Sequence, residues 1–324
     1  MSDSCKMLSL GEVCDFLKNH NDYLILTHAS PDGDTLGSGF GLMRVLGNLG
    51  KKAKVFCPDG VPEKFEYLVK TSQEDFKEKT IIAVDLADPK LLGAACEQYA
   101  DKVELCIDHH ISNIKYSKSL YLDANSAAAS EIIYTIAVAL GVKINKEMAN
   151  ALYTGIATDT GCFKFSNTTA KTHSITAKLF EVGVDATKIN RAMFETISRE
   201  RLNIEHLALD SIDFRYGGKC AIISISAEMI EKTKCDKSDL EGITSIARTI
   251  EGVVVGITLR ENQMGKVKAS VRTHDPIDAC AICNNLGGGG HFRASGCEIV
   301  GDIDHAKQEI LKYVEIALKD SNLI

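Results

Sequence analysis

The chain has 324 residues, of which 45% are hydrophobic and 25% charged, and its formal net charge is -7 at pH 7. This length predicts two domains, and the composition is typical of a globular protein. The negative charge argues against a broad basic surface, so we expect no long duplex nucleic acid as a partner, although a short nucleotide in a local pocket remains compatible with it.

The sequence carries the features expected of an intracellular protein. No apolar run approaches the ~20 residues that span a bilayer, and the start of the chain, MSDSCKMLSLGEVCDF, lacks the apolar segment of a signal peptide. The eleven cysteines are odd in number and scattered among apolar neighbours, which favours free thiols in a reducing compartment. We therefore expect a cytoplasmic protein with no membrane partner.

Strand-like and helix-like segments alternate in the first half of the chain. Short runs rich in Val and Ile predict strands at 22–28, 53–57, 80–85 and 103–108. Apolar residues at helical spacing predict helices from Thr35 to Leu49, at 130–141 and at 146–158. The alternation predicts an α/β domain with a doubly wound, mostly parallel sheet of about five strands.

Acidic residues and histidines are concentrated where three of these strands end. His28, Asp32 and Asp34 follow the first strand, Asp85 ends the third, and Asp108, His109 and His110 end the fourth. Because open α/β sheets bind ligands beyond the carboxyl ends of their strands, these side chains are predicted to share one crevice. Asp159, in ATDTGCF, ends a helical segment, and its approach to the crevice is less secure from the pattern alone.

Several carboxylates in one crevice would raise one another's pKa unless a cation neutralised them. Oxygen and imidazole ligands without thiolate suit Mn2+, with Mg2+, Co2+ or Zn2+ as alternatives. Roughly four Asp and two His exceed the needs of one ion and predict two ions about 4 Å apart, which would polarise a phosphoryl group and produce a hydroxide nucleophile. Turn formation explains SPDG alone and capping explains a lone Asp, but neither requires carboxylates after three separate strands.

Four segments, HASPDGDTLGS, VDLAD, IDHH and TDTGCF, resemble in this order the motifs of the DHH phosphoesterases. The later GGGGHFRASG resembles the glycine-rich motif of the accompanying DHHA1 domain, and the layout is similar to the nanoRNase A type. The resemblance implies that Asp108 orients its neighbours and that His110 faces the scissile phosphate. It also implies six metal ligands, which are His28, Asp32, Asp34, Asp85, His109 and Asp159. Of these, Asp85 and Asp159 would bridge the two ions.

The second half of the chain is organised differently. Residues 181–212 carry helix formers and charge with few breakers, which predicts a connecting helix and a boundary near Tyr216 and Gly217. GKCAIISIS, GVVVGITLRE and KVKASVRT predict strands, and HAKQEILKYVEIALKD predicts a terminal amphipathic helix. We expect a DHH domain at 1–190, a linker helix at 191–215 and a smaller α+β DHHA1 domain at 216–324.

The run LGGGGH at 286–291 predicts a ligand loop. Consecutive glycines lose much backbone entropy on folding, so we interpret them as a close approach that offers N–H groups to an anion. A flexible linker is disfavoured because the strand-like GCEIV follows at once. The resemblance implies that Arg272 and His291, with Gly288, Gly289 and Gly290, hold a substrate phosphate or nucleotide across the interdomain cleft; the role of Arg293 is left open.

These observations favour a metal-dependent phosphohydrolase. We expect it to cleave short oligoribonucleotides and linear dinucleotides to mononucleotides and to convert 3'-phosphoadenosine 5'-phosphate (PAP) to AMP, so its partners are short RNA and nucleoside bisphosphates. The alternative enzyme is a soluble phosphodiesterase for cyclic di-AMP or its linear product pApA. A nucleotide-binding sensor that kept the fold and lost turnover is the non-enzyme alternative, but the degenerate ligands that would mark it are not seen. A homodimer is left open.

Overall fold

The structure is a computed structural model that describes residues 5–69, 76–236, 239–240, 242–262 and 265–324. The chain divides into two compact units, Met1–Thr196 and Ile197–Ile324. The division expected from the sequence, with a separate linker segment at 191–215, stays a prediction.

Strands and helices alternate along the first unit. The strands are β1 (Lys6–Met7), β2 (Tyr23–Leu26), β3 (Ala53–Phe56), β4 (Thr80–Val84), β5 (Leu105–Asp108) and β6 (Ser119–Leu122). The α-helices are α1 (Leu10–Asn19), α2 (Gly33–Asn48), α3 (Ala129–Ala139), α4 (Lys146–Asp159), α5 (Ala170–Glu181) and α6 (Ala186–Asn190).

These strands form one parallel sheet in the order β1-β6-β5-β4-β2-β3. The chain leaves β2 to form β3 on one side of it and then returns to form β4 on the other, which creates a topological switch point at the carboxyl end of β2. The predicted fold class is confirmed. The sheet is six-stranded where about five strands were expected, and the two-residue β1 is too short for a strand pattern in the sequence.

The sheet is buried on both faces, as its near-continuous apolar strands require. Tyr23 and Ile25 of β2 pack into a core formed with the α-helices. The intervening Leu24 and Leu26 pack into a second core on the opposite face. That second core contains Leu92 and Cys96 of the 3-10 turns Pro89–Leu92 and Ala94–Tyr99.

The second unit is built on a mixed sheet. Its strands are β7 (Asp213–Arg215), β8 (Cys220–Ile225), β9 (Val255–Glu261), β10 (Lys266–Thr273), β11 (Gly289–His291) and β12 (Ala294–Val300). Its helices are α7 (Arg199–Asp210), α8 (Ala227–Thr233), α9 (Ile243–Thr249), α10 (Ala279–Asn284) and α11 (Ile303–Asp320). The strand order is β11-β12-β10-β9-β8-β7; β8 and β9 are parallel, and the other neighbouring pairs in this order are antiparallel. The predicted α+β class is confirmed.

The continuous connecting helix predicted over 181–212 is wrong. The segment contains α6, a π-helical turn at Arg191–Glu195, an extended Thr196 and then α7. A new helix begins because the Ser198 side chain accepts a hydrogen bond of 2.8 Å from the backbone N–H of Arg201, which is the geometry of an N-cap. No Pro or Gly marks this break, so the residue pattern did not reveal it.

Two further findings concern membrane-spanning helices and disulfide bonds. Among the described helices, none is long and apolar enough to cross a membrane. The eleven cysteines are all free thiols in the structure.

Helices α2 and α4 approach closely because glycine lies at their contact. A Cβ atom at Gly37 would lie 2.5 Å from the carbonyl oxygen of Ala151 and 2.8 Å from the backbone nitrogen of Gly155. Both obstacles are backbone atoms, so only a separation of the helices would relieve the clash.

We therefore expect Gly37→Ala to lower the free energy of unfolding by about 1–3 kcal/mol, the usual cost of overpacking. The matched control is Gly47→Ala in the same helix, where a Cβ would meet no atom within 4 Å; it should raise stability by roughly 0.5–1 kcal/mol. Urea unfolding of both variants checks the pair, and a shift of the same sign and size in both would contradict the packing argument.

Candidate metal centre

The turn after β2 presents two carboxylates through one helix start. Asp32 is the N-cap of α2, and its Oδ1 accepts hydrogen bonds of 3.0 Å from the backbone N–H groups of Asp34 and Thr35. Pro31 and Gly33 allow the tight turn. Burial disfavours the charged form of Asp32, but the interaction with His28 and the capping N–H groups outweigh it and lower the pKa of this carboxyl, whose side chain is about half exposed.

Asp34 points the other way, into the protein. It is 1% exposed, and its carboxylate accepts hydrogen bonds from the backbone N–H groups of Ala129 (2.6 Å) and Ser130 (2.9 Å) in the first turn of α3. A Cβ at Gly155 of α4 would collide with the Asp34 carboxylate and the Ser130 hydroxyl. Glycine at 155 therefore makes room for Asp34.

Asp85 lies at the centre of the group. It follows β4 with φ of 55°, a left-handed conformation that is uncommon for a residue other than glycine. Its Oδ1 is 3.4 Å from Nε2 of His109, and its Oδ2 is 3.9 Å from Nε2 of His28. Asp85 is thus the carboxylate that lies between the two imidazoles, and it is 3% exposed.

Two histidines present the same ring atom to these carboxylates. Nδ1 of His28 lies 2.8 Å from the carbonyl oxygen of Ala29, and Nδ1 of His109 lies 3.2 Å from that of Ser126. A carbonyl can only accept, so Nδ1 carries the proton and Nε2 keeps a free lone pair when the ring is neutral. This tautomer is the one that histidine ligands of metals use.

Asp159 joins the group from the last turn of α4. Its Oδ2 lies 3.6 Å from Nε2 of His109. The amide of Asn167 donates to the carbonyl oxygens of Asp159 (3.1 Å) and Ala127 (3.0 Å), which ties the end of α4 to the loop before α3. The structure thereby brings Asp159 to the crevice, an approach that was less secure from the sequence pattern.

Asp108 and His110 form a separate pair beside these groups. Oδ1 of Asp108 accepts from Nδ1 of His110 (2.8 Å) and from the backbone N–H groups of His109 (2.8 Å) and His110 (3.2 Å), and Oδ2 accepts from the amide of Asn113 (2.6 Å). Asp108 is fully buried, so these donors fill its lone pairs and leave it to orient His110. The His110 side chain is 45% exposed.

The electrostatics of the centre reflect several carboxyl groups held close together away from water. Burial raises the pKa of Asp34, and burial together with the charges of Asp34 and Asp32 raises the pKa of Asp85 well above its ordinary value. Burial and the Asp34 charge raise the pKa of Asp159 to about 7. Burial disfavours a charged His28 ring, but the interaction with Asp32 outweighs it and raises the pKa to about 9.

The donor set fits divalent cations. Ligand atoms lie close enough to share an ion in three groups, which are His28, Asp32 and Asp85; Asp34, His109 and Asp159; and Asp85, His109 and His110. Asp85 Oδ1 and His109 Nε2 are buried without a hydrogen-bond partner. Buried polar atoms are normally satisfied, so these two orphaned atoms fit a site made for a cation. In the third group, His110 Nδ1 is already bonded to Asp108.

The glycine run of the second unit is not a free loop. Gly289–His291 forms the edge strand β11, which pairs with β12. A Cβ at Gly288 would collide with Gly296 and Cys297, and one at Gly290 would lie 2.7 Å from the carbonyl oxygen of Ala294. The close approach inferred from the sequence is therefore to a neighbouring strand, and substrate binding by the glycines stays a proposal.

Arg272 and His291 lie on this same sheet. Arg272 is half-buried on β10 and its guanidinium donates to the carbonyl oxygen of Val271 (3.0 Å). His291 is exposed at the end of β11. Arg293, whose role the sequence left open, forms an ion pair with Asp275.

Comparison with known proteins identifies the architecture. Residues 22–156 match the DHH family N-terminal domain, and residues 217–320 match the DHHA1 domain. The chain is 33% identical over 299 residues to the bifunctional oligoribonuclease and PAP phosphatase NrnA of Thermus thermophilus, covering 90% of this chain and 88% of that protein. The chain belongs to the DHH family. It is a DHH-family phosphoesterase with a DHHA1 domain, as the motif resemblance predicted.

Further relatives have the same two-domain extent. The NrnA of Bacillus subtilis is 27% identical over 290 residues, which is 86% of this chain and 90% of that protein. The crystal structure of an exopolyphosphatase-related protein from Bacteroides fragilis superposes with a TM-score of 0.84 at 25% identity, covering 96% of this chain and 95% of that one. The similarity to these relatives thus includes both units of the chain and is not limited to the first.

Sequence reasoning missed several residues that hold the centre in place. Asn113 fixes Asp108, Asn167 fixes the end of α4, and Gly155 admits Asp34. Of these residues, Gly155 carried a signal, because a glycine inside a predicted helix commonly has a packing or functional reason. The two asparagines carried no signal, since polar residues are ordinary in loops.

We expect Asp85→Asn to lower bound Mn2+ and to reduce turnover by more than about 100-fold, because even residues behind metal ligands cost about 10–100-fold. Asn keeps the side-chain shape and tolerates the left-handed backbone, so the change isolates the charge. Metal analysis after gel filtration and the Mn2+-dependent rise in unfolding temperature are the measurements.

Asp88→Asn is the matched control for this variant, since Asp88 lies in the same VDLAD segment and caps a 3-10 turn, a task that Asn performs equally well. It should keep parental metal content and activity. Parental metal content together with substantial turnover in Asp85→Asn would remove Asp85 from the centre.

Proposed function

We propose that this phosphoesterase works with two divalent cations, most suitably Mn2+, with Mg2+ or Co2+ as alternatives. One observation carries the proposal. Two of the ligand groups share no residue, the first being His28, Asp32 and Asp85 and the second being Asp34, His109 and Asp159. The two groups are nevertheless adjacent, because Asp85 Oδ1 lies 3.4 Å from His109 Nε2. Two adjacent ligand groups with one central carboxylate favour two ions over one.

In this proposal Asp85 would be shared by the two ions, and each other member would hold the ion of its own group, with Asp159 beside Asp34 and His109. When bound, the cations would stabilise charge on the phosphoryl group and activate a water for attack. The chain's own contribution is to hold the ligands rigidly. Asp34 is fixed by the first turn of α3, and both imidazoles are fixed by backbone carbonyls.

His110 is proposed as the catalytic proton donor. Its hydrogen bond to Asp108 raises the pKa of the imidazole, so the ring holds a proton more readily than a free histidine does. Nδ1 is committed to Asp108, which leaves Nε2 to donate to the leaving oxygen as a general acid. Asp108 is the positioning residue, since its own oxygens are filled by donors.

The proposed substrates are short oligoribonucleotides, linear dinucleotides and PAP. Support comes from the relatives named above, whose names specify oligoribonuclease and PAP phosphatase activity and of which this chain covers about nine tenths. Arg272 and His291 are proposed to hold a substrate phosphate. The free thiols support a reducing compartment, and we propose the cytoplasm.

The test offers the purified protein with Mn2+ a panel of labelled substrates. RNA of two to five nucleotides and PAP should be hydrolysed much faster than RNA of about twenty-four nucleotides, as the names of the relatives suggest. Pyrophosphate and cyclic di-AMP should be poor substrates. A preference for cyclic di-AMP, or equal rates on short and long RNA, would contradict the proposal.

His110→Gln is the control for contaminating nucleases in this assay. It should keep its bound metal and lose about 100-fold or more of the activity on every substrate, the usual contribution of general acid catalysis. Activity that is unchanged in this variant would belong to another protein or would exclude His110 from the chemistry.

A further inference from the structure

A row of neighbouring residues crosses the sheet of the second unit at one level. His291 of β11 is directly opposite Ala294 of β12, and Ala294 is opposite Arg272 of β10. Arg272 is in turn opposite Gly256 of β9. Residues directly opposite in antiparallel pairs place their side chains on the same face. His291 and Arg272 therefore rise from one face with only the small Ala294 between them.

Helix α9 ends on this row. A Cβ at Gly256 would lie 2.5 Å from the backbone nitrogen of Arg248 and 3.0 Å from the carbonyl carbon of Ala247. Glycine at 256 therefore lets the backbone of Arg248 lie directly on β9, beside Arg272. The electrostatics agree with this placement, because burial and then the charge of Arg248 lower the pKa of Arg272.

Neither guanidinium has an acidic partner within the part of the chain that the structure describes. The hydrogen bond of Arg272 goes to the carbonyl oxygen of Val271, and Nε of Arg248 is buried without a partner. Some other arginines of this unit do pair, since Arg293 meets Asp275 and Arg215 meets Asp213. Two half-buried like charges without a counter-ion repel each other, and an anion would relieve that repulsion.

We propose that Arg248 is a further substrate-binding residue, which with Arg272 and His291 forms a phosphate-binding row that selects nucleotides carrying a terminal phosphomonoester. A phosphomonoester carries a charge of roughly -1.5 to -2 at pH 7, whereas an internal phosphodiester carries a single charge. Two guanidinium groups match the former, and each can bind phosphate oxygens through two N–H groups. The inference rests on the proposed function, because it concerns the substrate of that same enzyme.

The experiment compares diadenylate that carries a 5'-phosphate with diadenylate that ends in a 5'-hydroxyl. Arg248→Gln should lower kcat/KM on the phosphorylated dinucleotide by roughly 10- to 100-fold, mainly through KM, because a charge-assisted contact is lost. Turnover of the hydroxyl form should be unchanged. Arg248→Lys keeps the positive charge but lacks the paired N–H groups of a guanidinium, so it should retain part of the preference for the 5'-phosphate.

Arg260→Gln is the matched control. Arg260 lies on the same face of β9 as Gly256, about 13 Å along the strand from it. The substitution therefore removes the same charge as Arg248→Gln, but at a position outside the row. It should leave both rates at the parental value. The proposal is overturned if Arg248→Gln behaves like Arg260→Gln, or if it slows both dinucleotides equally.

Two further variants keep the outcomes distinct. Arg272→Ala separates this inference from the proposed function, because an unchanged rate on both dinucleotides would count against the whole phosphate site of the second unit. If Arg248→Gln does not fold, Arg248→Lys compared with Arg260→Lys gives the same test. An equal preference for the 5'-phosphate in those two variants would overturn the role of Arg248.

Discussion

Two carboxylates, Asp34 and Asp85, are almost completely buried close to each other, and Asp32 and Asp159 bring two more carboxylates to the same group of ligand atoms. Burial raises the pKa of both, and the Asp34 charge raises that of Asp85 further. A fold that keeps such a pair must either protonate it or bind a cation. The Nε2 atoms of His28 and His109 favour the cation, since both rings direct a possible ligand atom at Asp85.

The rest of the first unit follows from holding these groups in position. The topological switch of the parallel sheet brings three strand ends together. The starts of α2 and α3 then direct N–H groups at Asp32 and Asp34, and helix N-termini stabilise anions. Gly155 and Gly37 allow α4 to approach closely enough for Asp159 to reach His109. The left-handed backbone of Asp85 is a local strain of the kind that persists at functional sites.

The sequence predicted the parts of this arrangement that depend on strand ends. Strands buried on both faces have an unmistakable composition, and residues that follow them must meet at one edge, so His28, Asp34, Asp85 and His109 were expected together. Asp159 was less secure, because it follows a helix, and the direction in which a helix ends depends on tertiary packing. The break before α7 and the contacts of Asn113 and Asn167 depend on tertiary structure that leaves no periodic signal.

The glycine run shows the opposite case, in which a correct physical principle had two solutions. Glycine permits close approach, but the residue pattern does not say to what. In the structure Gly288 and Gly290 approach β12, so the run makes an edge strand possible and positions His291 level with Arg272. Such cross-strand registers are set by long-range pairing, which explains why Arg248 was not a candidate from the sequence.

The central claim is that the buried carboxylates hold two ions around Asp85. Anomalous diffraction at the manganese absorption edge, from crystals of the full chain grown with Mn2+, tests it most directly. The account predicts two peaks about 4 Å apart, one beside His28 and Asp32 and the other beside Asp34 and Asp159, with Asp85 contacting both. A single peak, or peaks away from Asp85 at saturating Mn2+, would contradict it.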